Sequence, residues 1–285
     1  MDIGEWESVK QSIIDYYHNS WPSYLKFISK TNLGLHYGYY DKENKVHHKA
    51  MLNMNNQVAL GLKLKKDTSY SILDAGCGVG GTVIHLAKNF PNMTFIGINI
   101  SDEQIKLAND YSKERGFKDR VSFLNRDYIN TGFPDDTFDA VYALESMCYA
   151  YDKHAFLKEF KRILKPGGRI AVLDGFRNGK YPLNPLIEKK YDLWCEGWVL
   201  RYKLDTQTNF MKYLEQEEFQ DIMFKDITSN ILPSSKRIYN LWVKRLIYLS
   251  LIGSIKEISR AGIYQKKLFK SRYLVYGAFS AQKPS

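Results

Sequence analysis

Apolar residues recur at intervals of three and four through residues 5–29 and again through 45–64, the spacing of helices that bury a single face. Pro22 interrupts the first run and is expected to break or kink it, since proline lacks an N–H and crowds the preceding turn. Between the runs lies LGLHYGYYDKEN (33–44), a loop rich in glycine and tyrosine. The second run ends in KLKK, cations suited to the negative end of a helix. Then the rhythm changes. SYSILDAG, MTFIGINI, VSFLN, FDAVYALE and GRIAVLDG are short apolar runs separated by helical stretches at 80–89, 102–115 and 152–165. Strands alternating with helices of that length build βαβ units and a largely parallel sheet. LKPGG (164–168) reads as a helix stop followed by a tight turn.

Beyond Asp174 the alternation stops. Residues 176–220 read as loop and helix, with a strand expected near 221–228, a helical segment over 234–262 and a last strand in RYLVYGAFSA (272–281). The expected fold is α/β: one domain built on a doubly wound, mostly parallel seven-stranded sheet of Rossmann-like type. Its sheet core would comprise 67–175, 221–230 and 272–283. An N-terminal helical cap (1–66) and a helical lid (176–220 and 231–271) would complete it. The longest apolar stretch, 238–255, contains Lys244 and Arg245, so it is a poor membrane span, which wants about 18–20 uninterrupted apolar residues.

Composition adds three exclusions. With 285 residues, 44% hydrophobic and 25% charged, the chain is neither disordered nor fibrous. Cys77, Cys148 and Cys195 form no CxxC pair, and His18, His36, His47, His48, His85 and His154 form no ligand-spaced cluster, so neither a disulfide framework nor a metal site is expected. The first twenty residues hold Asp2, Glu5, Glu7 and Asp15 and no apolar core of a signal peptide, which points to a cytoplasmic protein. The formal charge of +10 is uneven: from Lys236 to Arg272 ten Lys/Arg face one acid, Glu257. A basic patch this local is expected to meet an anionic substrate, to touch a membrane surface peripherally or to meet a nucleic acid, unless it is only a solvated face.

The informative string is ILDAGCGVGG (72–81), a strand that enters a glycine turn and then a helix. Bare backbone lets a ligand lie close, and the helix start offers unpaired N–H groups. Gly76, Gly78 and Gly81 satisfy G-x-G-x-x-G, the dinucleotide pattern, which is weak evidence alone. Two residues argue against a dinucleotide. Asp74 would set negative charge near a pyrophosphate, and Asn99 ends the second strand where an acid should grip the ribose.

The turn Asp74-Ala75-Gly76-Cys77-Gly78-Val79-Gly80 resembles the first motif of the class I S-adenosylmethionine-dependent methyltransferases. RDY (126–128), FPDDTFDAVYALES (133–146) and RILKPGGRIAVLD (162–174) resemble the family's later landmarks, in order. HYGYYD (36–41), GINISDEQ (97–104) and ESMCYAYD (145–152) resemble the branch of sterol C-methyltransferases, cyclopropane fatty-acid synthases and isoprenoid-diphosphate C-methyltransferases. Natural-product N- and O-methyltransferases share much of this pattern. The resemblance implies S-adenosyl-L-methionine as cofactor. Backbone N–H groups around Gly76–Gly80 suit its carboxylate, with Ala75 and Cys77 in the same turn, and Asp74 suits its amino end. The resemblance places Asn99 on the ribose, with Ile100 and Gln104 beside it, and Asp127 on the adenine amino group with Tyr128 by the ring. Cys77 is assigned packing and backbone contact.

Glu145, at the carboxyl end of the fourth strand, is the residue expected to carry chemistry, with Tyr37 and Tyr149 as partners. Methylating an alkene makes a carbocation that must be held and then lose a proton, and a buried carboxylate serves both needs. Tyr16, Tyr17, Trp21, Tyr24, His36, Tyr37, Tyr39 and Tyr40 crowd the cap, and aromatic faces attract cations. Of these, Tyr17 and Tyr37 are expected on the cofactor side. The leading expectation is C-methylation of an olefinic isoprenoid (a diphosphate or sterol-like) or lipid, with the 236–272 basic segment serving its diphosphate or a membrane that presents it; the alternative is an N- or O-methyltransferase of a small natural product. ESMC at the fourth strand, in place of an N/D-P-P-Y loop, argues against nucleic acid as the acceptor.

Overall fold

The computed structural model describes residues 3–27, 32–181, 184–251 and 261–285. The apolar runs become strands β1 (Ser71–Ala75), β2 (Thr94–Asn99), β3 (Val121–Asn125), β4 (Phe138–Leu144), β5 (Leu164–Arg177), β6 (Gln220–Asp226) and β7 (Leu274–Gln282). They form one sheet in the order β3-β2-β1-β4-β5-β7-β6. Strands β1 to β5 pair in parallel, and β7 lies antiparallel to both neighbours. Helices α3 (Gly81–Asn89), α4 (Asp102–Glu114) and α5 (Lys153–Ile163) join the parallel strands.

Side chains alternate between the two faces of the sheet, as a strand requires. Leu73, Val141, Ala143, Ile170 and Val172 pack against Phe156 and Phe160 of α5 on one side. Ile72, Ala140, Tyr142, Ala171 and Leu173 join Val83 and Leu86 of α3 and Met54 and Val58 of α2 (His47–Gly61) on the other. Local caps fix where helices begin. Asp152 accepts the N–H groups of His154 and Ala155 at 2.9 Å, and Asn184 accepts that of Leu186 at 3.0 Å ahead of α6 (Pro185–Gly197). Helix α7 is Gln207–Gln216, α8 Thr228–Leu251 and α9 Ala261–Lys270.

Two expectations are corrected. Helix α1 (Ile3–Phe27) runs through Pro22 without a break. Its buried residues Trp6, Ile13 and Trp21, at about 1.5–3 kcal/mol each, outweigh the roughly 3 kcal/mol that an internal proline costs. LKPGG does stop the helix, since α5 ends at Ile163, but it then belongs to β5 in place of a separate turn: Leu164 pairs with Phe138, and Gly167, at φ +74°, donates its N–H to Lys283 O at 3.1 Å. Part of the basic segment, Lys256 and Arg260, lies outside the described residues, as do the side chains of Arg245 and Tyr24. Among the described residues, no helix is long and apolar enough to cross a membrane. The strand order reverses between β1 and β4, and the crevice outside their carboxyl ends is where an open α/β sheet takes ligands.

Candidate active site

One cavity occupies that crevice. It takes Asp74, Gly76, Cys77, Asn99, Ile100 and Gln104 from the β1 and β2 ends. On its other sides stand Tyr17, Tyr37, Asp127, Tyr128, Glu145 and Tyr149. Two of the expected positions stand apart. Ala75 is fully buried in the sheet core, its methyl aimed away from the crevice by the strand's alternation. Gly78 is not in the wall, and a Cβ added there would meet only Leu35 Cδ1 at 3.8 Å. Gly76 is the most crowded glycine of the turn: at φ +97° its Cβ would sit 2.3 Å from Ser146 Cβ.

The turn's N–H groups are also largely committed. Those of Gly76 and Cys77 donate to Ile98 O at 2.9 and 3.0 Å, and that of Gly80 to Cys77 O at 2.9 Å. Gly81 and Thr82, which open α3, also line the cavity, and first-turn N–H groups have no partner inside the helix.

Asp74 is buried and accepts the Tyr142 hydroxyl at 2.7 Å, and burial pushes its carboxyl up to about 7. A cation placed beside it would restore its charge. Asn99 Nδ2 donates to Gln104 Oε1 at 2.6 Å, leaving Gln104 Nε2 buried with no partner among the described residues. Asp127 Oδ1 accepts the N–H of Ile129 at 3.0 Å, while Oδ2 accepts the indole N–H of Trp6 at 2.9 Å. Helix α1 thus reaches over the sheet to hold this acid. Burial pushes the Cys77 thiol well up, which fits packing and not nucleophilic work.

Glu145 sits at φ +52°, a left-handed conformation that costs a side-chain-bearing residue about 1–3 kcal/mol and is found where surroundings over-determine it. Its N–H donates to Leu173 O at 2.9 Å, and its Oε1 accepts both the Tyr37 N–H and the Tyr276 hydroxyl at 2.7 Å. Burial pushes its carboxyl up to about 8. Tyr37 sends its hydroxyl to Gln265 Oε1 at 2.6 Å. Tyr149 donates to Trp198 O at 3.1 Å, and its hydroxyl lies 3.2 Å from that of Tyr17, tying α1 to the end of α6. Tyr39 and Tyr40 face elsewhere: Lys225 donates to the Tyr39 hydroxyl, and the Tyr40 hydroxyl lies 2.9 Å from His47 Nδ1. Of the basic segment, Ile238 and Phe269 reach the wall, while Lys266 Nζ sits 4.0 Å over the Tyr239 ring.

Sequence reasoning missed Asp174, Tyr276, Trp194 and Trp198, all in the wall. Asp174 could have been found, for it ends an apolar run as Asp74 does. Tyr276 carries no such signal, because β7 brings it in from the far end of the chain.

Together the pieces fit an amino acid joined to a nucleoside: an acid and a helix start for its zwitterion, amides for a diol, an acid and a ring for adenine. Buried Gln104 keeps an unmet donor that a diol can meet. Residues 73–172 match a family described as a methyltransferase domain. Norajmaline N-methyltransferase from Rauvolfia serpentina is 30% identical over 236 residues, 79% of this chain and 80% of that protein. Sterol 24-C-methyltransferase from Saccharomyces cerevisiae is 38% identical over 162 residues, 56% of this chain but only 41% of that protein. Geranyl diphosphate C-methyltransferase from Streptomyces coelicolor A3(2), crystallised with Mg2+, geranyl diphosphate and S-adenosyl-L-homocysteine, shares the fold at a TM-score of 0.75. That likeness runs over 96% of this chain and 97% of that one at 18% identity.

The chain belongs to the class I S-adenosylmethionine-dependent methyltransferases. Within them it resembles the sterol and isoprenoid C-methyltransferase branch, and S-adenosyl-L-methionine is its cofactor.

Proposed function

We propose that the methyl acceptor is an apolar molecule whose reacting end gains positive charge beside Glu145: an olefinic isoprenoid or sterol-like lipid, methylated on carbon through a carbocation. The wall carries this reading. Its acids are Asp74, Asp127, Glu145 and Asp174, set among the rings of Tyr17, Tyr37, Tyr149 and Trp198. His36, also in the wall, is held neutral because burial pulls its imidazole down to about 4. The rings and the two acids at the acceptor end, Glu145 and Asp174, suit a cation that forms on an olefin.

When bound, S-adenosylmethionine supplies an electrophilic methyl carbon on a sulfonium centre. Asp74 and the start of α3 would hold its amino-acid end, Asn99 and Gln104 its ribose, and Asp127 and Tyr128 its adenine. An olefin that gains a methyl cation becomes a carbocation, and it regains neutrality by passing a proton from the adjacent carbon to a base. Glu145 Oε2 has no partner among the described residues and is the atom that would take it. Tyr37 and Tyr276 anchor the other oxygen, and the surrounding rings exclude water that would otherwise trap the cation.

A second reading has its own support. The likeness to norajmaline N-methyltransferase extends over 79% of the chain. In that reading Glu145 binds an ammonium or hydrogen-bonds an amine in the ground state.

Glu145→Gln separates the two. On its olefin the variant should lose kcat by about 100-fold or more with cofactor affinity intact, because the interaction exists mainly in the transition state. On an amine the change should raise KM instead. Unchanged kcat and KM on the true substrate would leave Glu145 as loop scaffolding and defeat both readings.

A further inference from the structure

Asp174 is a second acid at the acceptor end. It lies near the carboxyl end of β5, is 3% exposed and lines the cavity with Glu145. The two carboxyls are held differently. Asp174 Oδ1 accepts the N–H of Gly175 at 2.7 Å and Oδ2 that of Cys148 at 2.9 Å, so each oxygen faces a fixed backbone donor. Buried Lys153, whose ammonium donates to Ala150 O, adds favourable charge nearby. Backbone amides cannot turn around to accept a proton, and this arrangement therefore holds a carboxylate. Glu145 instead gathers both donors on Oε1 and leaves Oε2 bare, as suits a carboxyl that gains and loses a proton.

We propose that Asp174 is the second carboxylate of the acceptor site: it holds the standing negative charge that selects an acceptor with a cationic or cation-forming end, and it leaves Glu145 free for the proton. This rests on the methyltransferase reading of the cavity and deepens it by giving the two acids separate roles. The groups that face Asp174 are Glu145 from the end of β4, Cys148 and Lys153 from the segment that follows, Tyr37 from the loop before α2, Tyr128 from the loop after β3 and Tyr276 from β7. Burial raises Asp174 to about 6 and Glu145 to about 8, the order that the hydrogen bonds imply.

The test uses two probes of one shape, benzyltrimethylammonium and uncharged neopentylbenzene, bound to the full chain with and without S-adenosylhomocysteine. The wild type should prefer the cation by about 10-fold or more at pH 7.5, since a buried charge is only weakly screened. Asp174→Asn should abolish that preference while Glu145→Gln retains it. No preference in the wild type, or a preference that survives Asp174→Asn, overturns the proposal. If Asp174→Asn fails to fold, read by circular dichroism, wild-type pH dependence decides. A preference that appears as pH rises through about 6 supports Asp174, and one that appears only through about 7 or 8 assigns the charge to Asp74 or Glu145 and overturns it. Failure of the wild type to bind S-adenosylhomocysteine would instead sink the methyltransferase reading, and the probe preference is measured without it.

Discussion

At Gly76 two constraints coincide. The backbone takes φ +97°, which L side chains rarely adopt, and a Cβ there would lie 2.3 Å from Ser146 Cβ. Gly76→Ala should therefore displace either the turn or the segment after β4, and both carry cavity residues. The expected outcome is loss of S-adenosylhomocysteine affinity by about 10-fold or more, read by calorimetry, with about 1–3 kcal/mol of stability lost. Adding Ser146→Gly should restore part of that affinity, because it removes the atom in the way. A Gly76→Ala chain with wild-type affinity would show that the turn can shift without disturbing the cavity. Gly76, Asp74 and Glu145 were legible in the sequence because each sits where an apolar run meets a turn. The steric partner Ser146, seventy residues away, was not.

Helix α1 acts as a roof at the level of elements. Trp6, Ile13, Ile14 and Tyr17 reach the cavity from it, and the Trp6 indole occupies one oxygen of Asp127. A hydrogen bond to a charged group contributes about 1.5–3 kcal/mol. Trp6→Phe keeps the ring and removes the donor, so cofactor affinity should weaken by roughly 3- to 10-fold if the helix orients Asp127. Titration with S-adenosylhomocysteine checks it, and unchanged affinity would mean that the Ile129 N–H suffices. The helical period of α1 was plain in the sequence. Its position against Asp127 and Tyr149 was not, because a period says which face is buried and nothing about what covers it.

For the whole molecule, the buried acids couple stability to pH. Asp74, Glu145 and Asp174 stand at about 7, 8 and 6 in the folded chain, above the ordinary carboxylate value near 4. The native state therefore keeps protons that the unfolded chain has released, and this contribution is lost as pH rises toward 8. His36, His47 and His85 are held neutral down to about 4, against an ordinary value near 6.5. They oppose the acids below pH ~6.5, where the unfolded chain takes up their protons. Stability should peak near pH 6 and fall above it, with the melting temperature of the ligand-free chain lower at pH 8.5 than at pH 6.5 by roughly 3–6 °C. Glu145→Gln should remove most of that fall. A flat profile from pH 6.5 to 8.5 would show that the acids ionise in the cavity without penalty.

The sequence by itself determined the sheet and the glycine turn, because each is written locally, and it implied the cofactor through the family resemblance of its motifs. Alternation of apolar runs sets strand and helix, and the acid or amide that follows a parallel strand must emerge at its carboxyl end, where ligands meet such a sheet. Tertiary structure decided everything that depends on which distant segments meet. It brought Tyr276 from β7 onto Glu145 and Trp6 from α1 onto Asp127, set Gly81 and Thr82 at the start of α3 in the cavity wall, and set Asp174 in the same wall as Glu145. The physical reason is shared by all four. Burial and hydrogen-bond partners are properties of the packed assembly, and they decide which carboxyl carries charge and which carries a proton.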